Sequence, residues 1–157
     1  MKRDSRILLH NIRSVYNVGA IFRTADAVGI SKIYLSGYTP TPMDRFGNAR
    51  GDFAKSALGS EKTMKWEYAK SPNKFIRALK KGKFEIISVE QSKKSIDYKK
   101  IRPKNKILVI LGNEVSGISK SLLGKSNKVA EIPMRGKKES LNVSVSAGIV
   151  LFRWLDC

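Results

Sequence analysis

The sequence lacks the residues on which several classes of protein depend. Its only cysteine is Cys157, the last residue, so a disulfide framework is excluded and a reducing cytoplasm is the predicted location. No run of about 18 apolar residues is present, and the apolar run that begins at Ile7 is too short for a signal peptide. The sequence therefore predicts neither a membrane span nor a membrane partner.

Histidine is equally scarce, because His10 is the only one. No cluster of His, Cys and Asp has the spacing of metal ligands, so no metal site is predicted. His10 also has no oriented partner in the sequence, which argues against Ser14 or Ser140 as the nucleophile of a catalytic triad.

Acidic residues are few: 13 Asp and Glu stand against 31 Lys and Arg, which gives a formal net charge of +18. Residues 54–106 alone hold 16 basic and 5 acidic residues. A nucleic acid is the natural partner for such a chain, because neutralising its phosphates releases condensed counterions. A surface that is basic only for solubility is the alternative that composition leaves open.

Apolar residues alternate between the spacing of strands and that of helices. Apolar runs predict strands at Ile7–Leu9, Ile33–Leu35, Phe84–Val89, Ile107–Leu111 and Val129–Met134, with a shorter one at Trp66 and Tyr68. Helical spacing predicts helices from Val18 to Val28, from Pro72 to Leu79, from Lys120 to Gly124, and from the junction at Ser140 and Asn142 to the end of the chain. Residues 38–60 are predicted to be a long loop with one helical turn, and residues 92–105 a polar connection.

This alternation predicts an α/β fold with a mostly parallel sheet and helices on both faces. The length of 157 residues predicts one domain over residues 1–157. In such sheets the ligand crevice lies beyond the carboxyl ends of the strands. Three segments at strand ends have the residues for a site: Asn17–Arg23, Gly112–Gly117 and Pro133–Asn142.

The second of these segments has the two glycines of a phosphate-binding P-loop at the right interval, but Ile118 occupies the place of the essential lysine. Nucleotide hydrolysis is therefore not predicted, and no G-x-G-x-x-G follows a strand to support a dinucleotide site. The segment is either a tight turn with Glu114 at a helix N-terminus or a close backbone wall for a ligand.

The other two segments also leave alternatives open. Arg23 suits a phosphate or a polarised hydroxyl, but the local sequence read alone favours an ordinary exposed arginine. Asn17 can cap a helix. Ser140 and Asn142 stand where a helix begins, so they can cap it, bind an anion or hold the polar end of a small ligand.

Taken together, the three segments resemble the SpoU/TrmH class of the SPOUT methyltransferases. The matching motifs are Asn17–Ala25 (NVGAIFRTA), Ile107–Ser119 (ILVILGNEVSGIS), and Ile132–Met134 followed by Ser140–Ala147 (SLNVSVSA). This class methylates ribose 2′-hydroxyls of tRNA or rRNA with S-adenosylmethionine. The resemblance implies a deep C-terminal trefoil knot, an RNA partner and a homodimer that packs its first and last helices together.

The resemblance also implies which residues form the site. Arg23 corresponds to the catalytic arginine of the class, which helps the ribose hydroxyl to lose its proton, and Asn17, Glu114, Ser140 and Asn142 occupy the other polar positions. The residues that correspond to the cofactor pocket are Leu111, Gly112, Asn113, Glu114, Gly117, Ile132, Pro133, Met134, Ser140 and Leu141.

Compared with many members of the class, this chain is expected to be a bare catalytic domain without a separate RNA-binding extension. A non-catalytic RNA-binding protein that keeps the fold is the second hypothesis, and the retained Arg23, Glu114, Ser140 and Asn142 argue against it.

Overall fold

The structure is a computed structural model that describes residues 3–156. A sheet of seven strands, all of them parallel, forms its centre. The strands are β1 (Asp4–His10), β2 (Lys32–Ser36), β3 (Trp66–Tyr68), β4 (Glu85–Val89), β5 (Ile96–Asp97), β6 (Lys106–Leu111) and β7 (Lys128–Glu131). Their order across the sheet is β3-β2-β1-β6-β4-β7-β5. The predicted α/β class with a largely parallel sheet is confirmed.

Within residues 3–156, six helices and one turn of 3₁₀-helix accompany these strands. They are α1 (Val15–Ala27), α2 (Gly51–Ala57), α3 (Ser60–Thr63), α4 (Pro72–Lys81), the 3₁₀-helix (Tyr98–Lys100), α5 (Lys120–Leu123) and α6 (Val143–Leu155). None of the helices within residues 3–156 has the length and apolar character needed to cross a bilayer.

Two hydrophobic cores cover the two faces of the sheet. Alternate side chains of β1 point to opposite cores, because successive residues of a strand face opposite sides: Ile7 and Leu9 belong to one core and Leu8 to the other. The first core also takes residues from α1, α2 and α6, and the second takes residues from α4 and α5. Helices on both faces, as predicted, bury the apolar side chains of the central strands β1 and β6.

The segment 38–60 is more regular than the sequence predicts. Instead of a long loop with one helical turn, it contains the short helix α2 and leads directly into α3. Helix α2 has few apolar residues, so it lacks a clear helical period, and a tertiary contact stabilises it. Phe53 is fully buried and packs edge-to-face against Phe22 of α1, with ring centroids 5.0 Å apart.

Two other boundaries differ from the prediction. The connection 92–105 contains β5 and the 3₁₀-helix. The strand β5 pairs with β7, which is a distant part of the chain. The last strand ends at Glu131 and not at Met134. Pro133 has no N–H to donate to a neighbouring strand, which explains why the ladder does not continue through it.

Replacing Phe53 tests the packing of α2. Phe53→Ala should lower the free energy of unfolding by about 3–5 kcal/mol, because truncating a buried aromatic side chain leaves a cavity. Urea denaturation followed by circular dichroism measures this change. Phe46→Ala is the control, since Phe46 is 73% exposed, and its effect should stay within about 0.5 kcal/mol. Equal effects of the two substitutions would contradict the placement of Phe53.

Candidate active site

A cavity of about 610 Å³ opens at the carboxyl edge of the sheet, where β4, β6 and β7 end. Residues 89–91, residues 111–118 and residues 130–132 form much of its wall, together with Met134, Ser140 and Leu141. This is the edge at which parallel sheets place their ligands.

The cavity brings together most of the residues that the sequence predicted for a cofactor. Those that line it are Leu111, Gly112, Asn113, Glu114, Gly117, Ile132, Met134, Ser140 and Leu141. Pro133 is exposed and does not line the cavity. Asn17, Arg23 and Asn142 also lie outside its wall.

The turn after β6, which lines the cavity, packs tightly against neighbouring residues because two of its positions are glycines. A Cβ atom on Gly112 would lie 2.6 Å from Cγ1 of Ile118 and 2.8 Å from the carbonyl oxygen of Gly117, too close for any side chain. Gly117 has a φ of +70°, and a Cβ there would collide with the carboxylate of Glu90. Both glycines are therefore required by the shape of the turn.

Asn113 determines the conformation of this turn. Its side-chain oxygen accepts hydrogen bonds from the backbone N–H groups of Val115 and Ser116, both at 2.8 Å. Its side-chain nitrogen donates to the carbonyl of Asn11 and to the hydroxyl of Tyr38. Since both ends of the amide are engaged, Asn113 contributes to the cavity mainly by shaping the backbone.

The segment after β7 forms the opposite wall of the cavity, and a hydrogen bond connects it to Gln91, which follows β4. The side-chain nitrogen of Gln91 donates to the carbonyl oxygen of Glu139 over 2.6 Å. This bond holds Glu139 against the end of β4, and the next two residues, Ser140 and Leu141, line the cavity. Asn142 then begins α6, since its side-chain oxygen accepts from the N–H of Ser144 at 2.8 Å.

A chain of hydrogen bonds connects three of the predicted polar residues. The Glu114 carboxylate accepts from the backbone N–H groups of Arg13 and Ser14, at 3.1 and 3.3 Å, and from the side-chain nitrogen of Asn17 at 3.2 Å. The side-chain oxygen of Asn17 in turn accepts from the side-chain nitrogen of Asn142 at 3.1 Å. Asn17 does not cap α1, because Ser14 does so.

These hydrogen bonds also set the charge state of Glu114. Burial acts to raise the pKa of its carboxyl group, but the hydrogen bonds from Arg13, Asn17 and Ser14 favour the carboxylate and outweigh burial. The pKa therefore lies below its ordinary value of 4.5, and the group is charged at neutral pH.

Arg23 is placed differently from the other predicted catalytic residues. It lies on the exposed side of α1, and its guanidinium has no hydrogen bond or ion pair with any residue between 3 and 156. It does not line the cavity of its own chain. A role for Arg23 at this cavity therefore requires a second copy of the chain or a bound substrate.

The cavity is acidic although the protein is strongly basic. Glu90, Glu114, Glu131 and Glu139 line it, against a single lysine, Lys120, among the described residues. Glu90, Gln91 and Glu131 also line the cavity but were not predicted from the sequence. The end of β4 satisfies the same rule as the other strand ends, so applying that rule to Val89 would have identified Glu90 and Gln91.

The chain is similar to RNA methyltransferases in both sequence and structure. A model of the SpoU rRNA methylase family matches residues 4–152. A tRNA (guanosine(18)-2′-O)-methyltransferase of Aquifex aeolicus is 30% identical over 155 residues, which are 96% of this chain and 68% of that protein.

Two solved structures have the same fold over nearly the whole chain. An AdoMet-bound rRNA methyltransferase of Sinorhizobium meliloti has a TM-score of 0.87 and 28% identity, covering 98% of this chain and 56% of that one. A TrmH/SpoU tRNA modifying enzyme of A. aeolicus has a TM-score of 0.86 and 27% identity, covering 99% and 75% respectively. The chain thus spans between about half and three quarters of the length of these two proteins.

The hydrogen bonds of Glu114 predict a pH dependence of stability. Because the pKa is lowered in the folded state, the carboxylate stabilises the fold above its unfolded pKa, and this contribution is lost as the pH falls through the folded pKa. Glu114→Gln has no such group. The difference in unfolding free energy between the wild type and Glu114→Gln should be largest near about pH 7 and should shrink below about pH 4.5.

Urea denaturation at a series of pH values measures this difference. Glu139→Gln is the control for the loss of one negative charge, since the structure gives the Glu139 side chain no hydrogen bond, and it should match the wild type near about pH 7. A difference for Glu114→Gln that stays constant down to acid pH would rule out a stabilising carboxylate.

Proposed function

The chain belongs to the SpoU rRNA methylase family, and on that premise we propose that it transfers a methyl group from S-adenosylmethionine to a ribose 2′-hydroxyl of tRNA or rRNA. The named relatives act on both kinds of RNA: one is a tRNA (guanosine(18)-2′-O)-methyltransferase and another a 23S rRNA (guanosine-2′-O-)-methyltransferase. A cytoplasmic location follows from such a substrate and from the single cysteine.

The cavity fits S-adenosylmethionine in size and lining. Its volume of about 610 Å³ falls inside the range of roughly 300–1,000 Å³ that is usual for cofactor pockets. Leu111, Ile132, Met134 and Leu141 offer apolar surface for an adenine ring. Gly112 is among the residues that line the cavity, so its backbone is available to a ligand.

The observation that most supports this proposal is the sign of the charge in the cavity. S-adenosylmethionine has a positive sulfonium and a positive amino group, and four glutamates line the cavity of a protein with a net charge of +18. Local negative potential attracts this cofactor and repels RNA phosphates from the same space. The RNA is then left to bind at the basic exterior.

When bound, S-adenosylmethionine supplies an electrophilic methyl group on its sulfonium. A ribose hydroxyl is a weak nucleophile near neutral pH, so the reaction gains from loss of its proton and from alignment with the methyl group. A guanidinium beside the hydroxyl stabilises the developing negative oxygen and keeps its own charge throughout. We assign this role to Arg23.

Glu114, Asn17 and Asn142 support this arrangement through their hydrogen bonds, and Ser140 stands at the rim of the cavity for a polar contact with substrate or cofactor. We also propose that the segment from Ile132 to Asn142 threads through the knot of the family. The bond from Gln91 to Glu139 is the contact that favours this path.

The proposed enzyme is a homodimer in which Arg23 of one subunit acts at the cavity of the other. Two observations support this arrangement. Arg23 does not line the cavity of its own chain, and the helices α1 and α6 expose the apolar side chains of Tyr16, Val145 and Phe152. Burial of such side chains between two copies would remove them from water.

Replacing Arg23 tests the proposed chemistry. Arg23→Ala should lower kcat by about 10²–10³-fold, because one preorganised charge at a developing oxyanion is lost, and should leave the affinity for S-adenosylmethionine within about twofold. Incorporation of labelled methyl groups into bulk tRNA and rRNA measures kcat, and calorimetry measures binding. Arg102→Ala, another exposed arginine, is the control with normal activity.

Near-normal turnover of Arg23→Ala would refute its catalytic role. If the wild type neither methylates these RNAs nor binds the cofactor, the proposed activity is wrong, and a non-catalytic RNA-binding protein becomes the better hypothesis.

Mixed dimers test whether the arginine acts across the interface. Leu141→Arg places a cation in the acidic cavity and should abolish cofactor binding, so neither it nor Arg23→Ala is active alone. Random mixing should restore about one quarter of wild-type activity, because half of the dimers then contain one complete site. Sedimentation should show dimers, and mixed dimers without any recovered activity would contradict action across the interface.

A further inference from the structure

Helix α4 presents a basic surface that the proposed chemistry does not use. Phe75, Ile76 and Leu79 turn inward to the second core, where the ring of Phe75 lies 4.1 Å from that of Tyr34 between centroids. The opposite side of the helix is exposed and carries Lys74, Arg77, Lys80 and Lys81, which we call the α4 basic face.

The cations of this region are not interspersed with acidic residues. Residues 68–84 contain six basic residues and no acidic one: Lys70, Lys74, Arg77, Lys80, Lys81 and Lys83. No side-chain hydrogen bond or ion pair of these six is found within residues 3–156. Elsewhere exposed cations do find acids, as Lys32 does with Glu67 at 2.6 Å.

This arrangement is electrostatically unfavourable in the free protein. Arg77 lies three or four residues from Lys74, Lys80 and Lys81, so the like charges are neighbours on the helix surface and repel one another. An acidic residue at any of the intervening exposed positions would relieve the repulsion. A partner with closely spaced negative charges relieves it as well, and a phosphate backbone is such a partner.

The α4 basic face is continuous with the mouth of the cavity. Because α4 connects two parallel strands, it runs opposite to them, and its first turn lies at the same edge of the sheet as the cavity. There the side-chain oxygen of Asn73 accepts a hydrogen bond from Ser121 of α5 at 3.1 Å. Lys120, the preceding residue of α5, lines the cavity.

At its other end the helix reaches a second basic cluster. Lys80 and Lys83 line a cavity of about 390 Å³ together with Lys104 and Asn127. Its carboxylate, Glu85, is already paired with Lys128 at 2.7 Å and accepts a hydrogen bond from the backbone of Lys104. Positive charge therefore extends from Lys120 at the cavity along about 15 Å of helix to the far edge of the sheet.

We propose that the α4 basic face binds the phosphate backbone of the substrate RNA. The bound stretch of RNA is the one that leads away from the nucleotide at the cavity. The identity of the RNA as a substrate depends on the proposed function, but binding along α4 is a separate claim. Lys74, Arg77 and Lys81 lie on one stripe of the helix and each contacts a phosphate.

The test is the salt dependence of RNA binding by a triple variant, Lys74→Gln with Arg77→Gln and Lys81→Gln. Glutamine is a good helix former, so the helix is retained. Fluorescence anisotropy with labelled bulk tRNA, and separately with fragmented rRNA, should show affinity at least about tenfold weaker. The slope of log affinity against log salt should be shallower by about 2–3, since three phosphate contacts are lost.

A matched control removes the same charges elsewhere. The control triple variant also replaces two exposed lysines and one exposed arginine: Lys62→Gln with Lys65→Gln and Arg102→Gln. It should change the salt slope far less than the α4 triple variant does. A variant that keeps the charges, Lys74→Arg with Lys81→Arg, should bind RNA as the wild type does. In the methylation assay, the glutamine triple should raise the KM for RNA with kcat within about twofold.

Equal slopes for the two triple variants would overturn the proposal, since the effect would then come from net charge alone. An unchanged slope in the α4 triple would overturn it too. If the slopes differ as expected but the wild type transfers no methyl group, RNA binding by the α4 basic face is supported and the proposed methyltransferase activity is refuted.

Discussion

The carboxylate of Glu114 holds together the parts of the chain that form the site. It accepts hydrogen bonds from the backbone before α1 and from Asn17 within it, and Asn17 is bonded in turn to Asn142 at the start of α6. The parallel sheet brings these strand ends to one edge, and a charged acceptor with several donors connects the glycine turn to the start of the first helix and, through Asn17, to the start of the last. The same helices expose the apolar side chains that we assign to the dimer interface. Glu114 thus couples the geometry of the cavity to the proposed position of Arg23.

The distribution of charge separates two tasks on one small protein. The cavity is lined by glutamates, which favours a cationic cofactor, while the exterior is basic, which favours RNA. Residues 68–84 hold six basic residues and no acidic one, and their helix α4 lies on the face of the sheet opposite to α1 and α6. In the proposed dimer this face stays open, so RNA binding and subunit association do not compete for the same surface.

The sequence predicts most of this fold because its strands are continuous apolar runs and its longer helices have clear periods and caps. The elements it misses are those that depend on distant partners. Helix α2 needs Phe53 to pack on Phe22, and β5 needs β7 beside it.

The site likewise depends on contacts between distant parts of the chain. Asn17, Glu114 and Asn142 were recognised from motifs, but the bond between Ser14 and Glu114 joins residues that are 100 positions apart, so no local pattern indicates it. That the guanidinium of Arg23 has no hydrogen bond or ion pair among residues 3–156 is visible only in three dimensions.

The central claim is that the acidic cavity at the carboxyl edge of the sheet is the methyl-donor site. The most direct measurement is a titration of ¹⁵N-labelled protein with S-adenosylhomocysteine, followed by the chemical shifts of the backbone amides. We expect the changes to concentrate in residues 112–118 and 132–141, with Lys80, Lys83 and Lys104 at the second cavity unaffected. Changes confined to the second cavity, or no changes at saturating ligand, would contradict the account.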